Sequence, residues 1–255
     1  MSRRNAMPAE GVVAEKSFAE ILEATTEEAR RMEAPLSVRL QVVADKVREL
    51  SPPFADIVDR MVARLAENGV GLTAPRPGET MPEFLLPDEA GRLVSLSSLL
   101  EKGPVVVSFN RGHWCPYCQL NVDALARAEQ EILALGAQII AISPETSEWA
   151  AQLKSYAQAP FHVLSDLDGA YALELSLLFW VGEEKQRAMA SGGFNLTLFQ
   201  ANDTWMLPIP ATFVVGSDGV ILARYVDPDY RRRMEVEDLL ETLRADAKRR
   251  ADQAR

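Results

Sequence analysis

The sequence predicts an α/β protein: a mixed central sheet with helices on both faces, extended at its N-terminus by helices alone. Three observations carry this. From Pro77 onward, short apolar runs of strand length alternate with longer amphipathic stretches. Near the C-terminus two apolar runs, 211–215 and 220–226, are joined by Ser217-Asp218-Gly219, a hairpin signal that sets antiparallel strands beside the alternating ones. Upstream of Pro77, apolar residues recur only at helical spacing.

The N-terminal extension, residues 1–72, carries three stripes. Phe18, Ile21, Leu22 and Met32 form the loosest, and Leu36, Leu40, Val43, Val47 and Leu50 the second. Phe54, Ile57, Val58, Met61, Val62 and Leu65 follow the i, i+3, i+4, i+7 pattern closely. Ser51-Pro52-Pro53 separates the second helix from the third, and Asn68-Gly69 stops the third. No chemistry is visible in these helices; they read as a cap, or as the arm of a homodimer. In the second unit, residues 73–255, strands are predicted at 83–86, 94–96 and 105–109. A helix over 115–135, a strand over 138–142, a helix over 147–156 and a strand near 161–164 follow. Asp166-Leu167-Asp168-Gly169 leads into a short helix, and the stretch 179–205 keeps no clear period. The hairpin and a helix over 236–249, with Leu239, Leu240 and Leu243 on one face, complete the order, which is that of the thioredoxin fold.

Composition narrows the function. With 255 residues, 47% of them apolar and 25% charged, the chain can bury a real core. Its formal net charge of −10 argues against a nucleic acid or an anionic membrane surface as partner. No run approaches the ~18 apolar residues of a membrane span, and Met1 to Ala6 carry two arginines with no apolar stretch behind them, so no signal peptide is expected. A close dithiol without a disulfide framework suits a reducing compartment, and a cytoplasmic location is expected. Neither a Gly-rich phosphate loop nor a carboxylate pair with acid–base spacing occurs, which leaves nucleotide and glycosidase chemistry without support.

The two cysteines stand three residues apart in Arg111-Gly112-His113-Trp114-Cys115-Pro116-Tyr117-Cys118, between the run 105–109 and a long amphipathic segment. Thiols one helical turn apart at a strand-to-helix junction can close a small disulfide ring without moving the fold. The helix start favours an anion, so one thiol should ionise more easily than free cysteine. A structural zinc site would need four ligands, and beyond this pair the chain offers only His113 and His162, so no metal is expected. A permanent structural disulfide would remove little chain entropy over so short a loop. Two inert core cysteines are the remaining bland reading. Redox chemistry at Cys115 and Cys118 fits best.

A second segment completes the candidate site. Leu207-Pro208-Ile209-Pro210-Ala211-Thr212-Phe213 ends the irregular stretch and opens a strand. A proline just before a central strand marks a sharp, sometimes cis, turn. In thioredoxin-fold enzymes a cis-proline here faces the dithiol, and the residue before it offers backbone groups to a substrate chain. Pro210 matches that position, with Ile209 before it, and a cis Ile209–Pro210 bond is expected.

From Pro77 to about Leu243 the chain resembles the alkyl hydroperoxide reductase/thiol-specific antioxidant family, in particular its bacterial peroxiredoxin-like members. The resemblance rests on Phe109 to Cys118, Ala141-Ile142-Ser143-Pro144-Glu145, Val163-Leu164-Ser165-Asp166, Leu207 to Val215 and Asp227-Pro228-Asp229-Tyr230-Arg231-Arg232. It departs from the family pattern in named places. Typical peroxiredoxins place Pro-x-x-x-Thr-x-x-Cys after the strand. Here Arg111 stands at the proline, Cys115 at the threonine and Cys118 at the peroxide-attacking cysteine. The arginine that typically precedes the Ala-Thr-Phe strand is replaced by Pro210.

The resemblance implies a thiol-based oxidoreductase acting on a hydroperoxide or a disulfide, recharged by a thioredoxin- or glutaredoxin-type reductant, with no cofactor. A general disulfide reductase and a redox-sensing binding protein are the alternatives. Helix-start exposure points to Cys115 as the attacking thiol and Cys118 as the resolving one; the peroxiredoxin alignment points the other way. Arg111 could lower a thiol pKa or bind a peroxide oxygen, Trp114 could shield the dithiol, and Thr212 could hydrogen-bond near the sulfurs. His113 is expected to be a bystander, and Asp229 to Arg232 a structural corner.

Overall fold

The computed structural model describes residues 17–253, beginning with three helices: α1 (Phe18–Arg31), α2 (Leu36–Leu50) and α3 (Pro52–Glu67). Ser17 caps α1 in a reciprocal arrangement with Glu20, each satisfying a backbone N–H of the other. Two prolines open α3, where a missing N–H costs nothing. A small antiparallel hairpin follows, β1 (Leu85–Pro87) with β2 (Leu93–Ser95), and then a single turn and a half of helix, α4 (Leu96–Leu100).

The alternating part is β3 (Val105–Phe109), α5 (Pro116–Ala134), β4 (Gln138–Ser143), α6 (Ser147–Ala157) and β5 (His162–Ser165). After a 3₁₀ turn comes α7 (Ala170–Glu174). The stretch without a clear period holds order of its own: β6 (Leu178–Trp180), α8 (Glu183–Ser191), α9 (Leu196–Gln200) and β7 (Met206–Pro208), with β6 and β7 paired antiparallel. The chain ends with the hairpin β8 (Ala211–Val215) and β9 (Ile221–Val226) and the helix α10 (Val236–Gln253).

The main sheet has the order β5-β4-β3-β8-β9, with β3, β4 and β5 parallel and β8 and β9 antiparallel to their neighbours. All five residues of β3 are buried, as a central strand covered on both faces requires. Its side chains alternate between two cores. Val105, Val107 and Phe109 join Phe84, Leu96, Tyr171 and Phe213 on one face. Val106 joins Ile132, Leu153 and Leu243, from α5, α6 and α10, on the other. Among the described residues no helix is long and apolar enough to cross a membrane.

A third core sits at the end of β3 and unites the extension with the dithiol. Ala29, Leu40, Val43, Val58 and Met61 from α1 to α3 pack in one cluster with Cys115, Cys118, Met189, Ile209 and Tyr230. A buried charge cluster fastens the helices to α5. Asp123, on the α5 turn after Cys118, accepts from Arg39 (2.6 Å), Arg30 (2.9 Å) and Arg127 (2.9 Å). Arg39 and Asp123 are each 4% exposed, so the pair is held without water and either partner alone would be a stranded charge.

Candidate active site

The loop from β3 to α5 is shaped so that both sulfurs fall under the helices. Asn110 N–H donates to Ile142 C=O (2.8 Å), which carries the β3·β4 ladder one residue further before the chain turns. Gly112 then adopts φ +142°, and a Cβ there would lie 2.6 Å from Glu145 Oε1 and 2.5 Å from Trp114 Nε1. Glu145, fully buried after β4, accepts from His113 N–H (2.7 Å) and bonds His113 Nδ1 (2.7 Å). Burial pushes its carboxyl upward while those His113 bonds pull the other way. His113 also stacks on Trp149 (4.6 Å) and meets Phe199 edge-on (4.8 Å). It is therefore an anchor of the loop rather than a bystander.

Cys115 is the N-cap of α5 and Pro116 its first helical residue, so the ring fills the one place where no amide donor is wanted. Both cysteines are free thiols, 1% and 0% exposed. This corrects the exposed helix start expected for Cys115: α3 and α8 close over it, and a free thiol packs as a small apolar group.

The two sulfurs have opposite surroundings. Cys118 Sγ accepts from the Arg111 backbone N–H (3.3 Å) and from Arg233 Nη2 (3.5 Å). Burial alone would push its pKa up, but the Cys115 thiol hydrogen bond, Arg233 and Arg111 outweigh it and bring the pKa down to about 5. The first turn of α5 adds its positive end. Cys115, buried and donating toward that thiolate, is pushed well above its ordinary value. These surroundings favour negative charge on Cys118 over Cys115.

Arg111 is 1% exposed, its guanidinium sandwiched 3.8 Å over the Tyr230 ring and 5.0 Å from that of Trp114. Its Nε and Nη2 have no hydrogen-bond partner. Arg233, 6% exposed, is aimed at Cys118 by bonds from Nη1 to the carbonyls of Tyr230 and Arg232. Below the sulfurs, Ser108, Asn110 and Asn121 form a closed polar set.

Of the residues singled out from sequence, Arg111, Trp114, Cys115 and Cys118 meet at one pocket or its floor, and Ile209 shares the cysteines' cluster. The Ile209–Pro210 peptide is trans, against the cis expectation. Ile209 N–H donates to Leu177 C=O (2.8 Å), prolonging the β6·β7 ladder, so the chain reaches β8 already extended. Thr212 lies opposite Ser108 on β8 and bonds neither sulfur. The corner at Asp229 to Arg232 is structural in part: Arg231 bonds Asp229 (2.7 Å) and Asp59 of α3 (2.7 Å). Its Tyr230 and the adjoining Arg233, however, belong to the dithiol's surroundings. Sequence reasoning missed Arg233 and Lys185; for Arg233 the one signal was its place beside the family-like Asp229 to Arg232 segment.

The sheet order and the helices around it make a thioredoxin-like fold, with a buried dithiol at the end of its central strand. The AhpC/TSA family model matches residues 77–224, more than half of the chain, and the chain belongs to that family. It is 36% identical over 89 residues to the chloroplastic peroxiredoxin Q of Sedum lineare, covering 35% of this chain and 47% of the relative. Against the chloroplastic peroxiredoxin Q of Oryza sativa subsp. japonica it is 34% identical over 89 residues, covering 35% and 41%. The chain therefore spans less than half the length of these curated relatives. Among solved structures it is similar to peroxidoxin BcpB from Mycobacterium tuberculosis, with a TM-score of 0.52 and 24% identity over 67% of this chain and 97% of that one, a likeness of fold.

Proposed function

We propose that this protein is a thiol peroxidase whose attacking group is the Cys118 thiolate. The observation that carries the reading is the pair of donors on one sulfur: the Arg111 N–H and the Arg233 guanidinium both reach Cys118. A thiolate held this way attacks one oxygen of a hydroperoxide. The S–O bond forms and the O–O bond breaks, giving Cys118 sulfenic acid and an alkoxide or hydroxide that takes up a proton from solvent. Cys115, one turn away, then attacks the Cys118 sulfur, and its thiol proton departs with the hydroxyl as water. A dithiol of the thioredoxin or glutaredoxin class reduces the resulting disulfide through a mixed disulfide. Family membership supports peroxide as oxidant, and the resemblance set out above reads Cys118 at the family's peroxide-attacking position.

Exchange with a protein disulfide is the less favoured reading, because both sulfurs are almost fully buried and a polypeptide could reach them only after α1, α3 and α8 had moved. Stopped-flow mixing of reduced protein with hydrogen peroxide, followed by tryptophan fluorescence, tests the choice. A phase orders of magnitude faster than free cysteine, lost in Cys118→Ser and kept in Cys115→Ser, supports the proposal. A rate equal to free cysteine combined with brisk reduction of insulin disulfides overturns it.

A further inference from the structure

The pocket beside the dithiol holds more basic groups than thiol chemistry uses. Lys185, on α8, is 3% exposed, with its ammonium nitrogen 3.6 Å from the centre of the Phe54 ring and 6.0 Å from that of Tyr230. Among the described residues it has no carboxylate partner. Arg111, also buried, lines the same cavity of about 50 Å³, with two guanidinium nitrogens, Nε and Nη2, bonded to nothing. The Cys118 thiolate can balance one cation, and Arg233 already lies against it. Without a counter-ion a buried amine holds its proton only at a cost, and buried donors without an acceptor are costly too. Both costs fall on the same cavity.

The mouth of the cavity has the opposite character. Phe18, Phe54 and Phe194 wall it, and the same three rings border an apolar groove of about 580 Å³ between α1, α3 and α8. A guest that satisfied both parts would carry one anionic, bond-accepting head and an apolar tail. A neutral hydroperoxide needs no such pair of cations, and an inorganic anion would leave the groove unfilled.

We propose that this cavity is a binding site for an amphipathic monocarboxylate, its head between Arg111 and Lys185 and its tail passing Phe18 and Phe194 into the groove. Binding is coupled to a proton. Lys185 faces Phe54 from α3, Cys115 and Tyr117 from the start of α5, Arg111 from the preceding loop, and Tyr230 and Arg231 from beyond β9. On its other side Lys185 shares a cavity with Arg60, Arg64 and Glu184, where Glu184 is engaged by Arg60, and Arg231 is already neutralised by Asp229 and Asp59. Burial first, and then Arg111, lower the Lys185 pKa to about 6, so the amine is mostly neutral in the unliganded protein at pH 7. A carboxylate beside it raises that pKa, so a proton is taken up on binding. Affinity is then highest near pH 6 and falls as pH rises through the liganded pKa.

The test is isothermal titration of the reduced protein with octanoate, and with octanol as the uncharged control, between pH 6 and pH 9 in buffers of different ionisation enthalpy. No peroxide is present, so the result is independent of the thiol chemistry proposed above. Octanoate is expected to bind at least tenfold more tightly than octanol at pH 6, with proton uptake that Lys185→Met abolishes together with the pH dependence. Equal affinity for octanoate and octanol, or octanoate binding with no proton uptake in the unmutated protein, overturns the proposal. The proton count needs no variant, so it decides even if Lys185→Met fails to fold.

Discussion

Removing the Arg233 charge should raise the pKa of Cys118 and lower its thiolate fraction at neutral pH. The Arg233→Met substitution keeps most of the side chain's apolar stem and deletes a guanidinium 3.5 Å from the sulfur. At an effective dielectric constant of ~20, a pair of unit charges at that distance attracts by about 5 kcal/mol. Part of this returns as water and neighbouring groups relax, and the Arg111 contacts to the sulfur remain. A net rise of ~1–3 pKa units, or roughly 1.4–4 kcal/mol, is expected. From a starting value of about 5, the upper end of that rise leaves only ~10% thiolate at pH 7. Thiolate absorbance in the ultraviolet, followed from acid to alkaline pH, reads the first titration midpoint directly. Arg233→Lys, which keeps a charge but not the fork, should fall between the two. A midpoint in Arg233→Met within ~0.3 unit of the unmutated protein would refute the assignment of the anion to Cys118 through Arg233.

Three further outcomes follow from the same structure. Lys185 has its folded pKa lowered to about 6 against ~10.4 unfolded. The unfolded chain therefore binds more protons between those values, and stability to urea should climb with pH across that window. Lys185→Met should flatten the climb and raise stability at pH 7 by roughly 1–3 kcal/mol; a flat profile in the unmutated protein contradicts this. Gly112→Ala places a methyl against buried Glu145 at a positive φ, so thermal melts should show a loss of at least ~1–3 kcal/mol from the backbone conformation alone. Asp123→Asn strands three arginines that converge on one carboxylate. Stability should drop by about 3–5 kcal/mol, and mass spectrometry should find Cys115 alkylated faster as α1 and α2 loosen; unchanged labelling would mean these helices do not guard the site.

The parts of the fold that were legible in the sequence are those whose causes are local. Val105 to Phe109 reads as a central strand because burial on both faces forces an unbroken apolar run. The Pro52 boundary and the Ser217 to Gly219 hairpin read correctly because proline and glycine act on their own backbone. The dithiol was legible through its spacing. The stretch 179–205 was not, because Glu183, Glu184, Lys185, Gln186 and Arg187 look like a solvated run until Phe54 and Tyr230 are brought over Lys185. Arg233 was hidden for the same reason: 115 positions separate it from Cys118, and only the return of β9 joins them. The exposure expected of Cys115 does not hold. A helix start is often open to solvent, but here the extension packs over it and buries Cys115 as deeply as Cys118.

The central claim is that Cys118 is the sulfur that meets peroxide. It is tested most directly by treating reduced Cys115→Ser and Cys118→Ser proteins with one equivalent of hydrogen peroxide in the presence of a sulfenic-acid-trapping dione, then mapping the adduct by peptide mass spectrometry. The account predicts an adduct on Cys118 in Cys115→Ser and essentially none on Cys115 in Cys118→Ser. An adduct on Cys115 with none on Cys118 would contradict it.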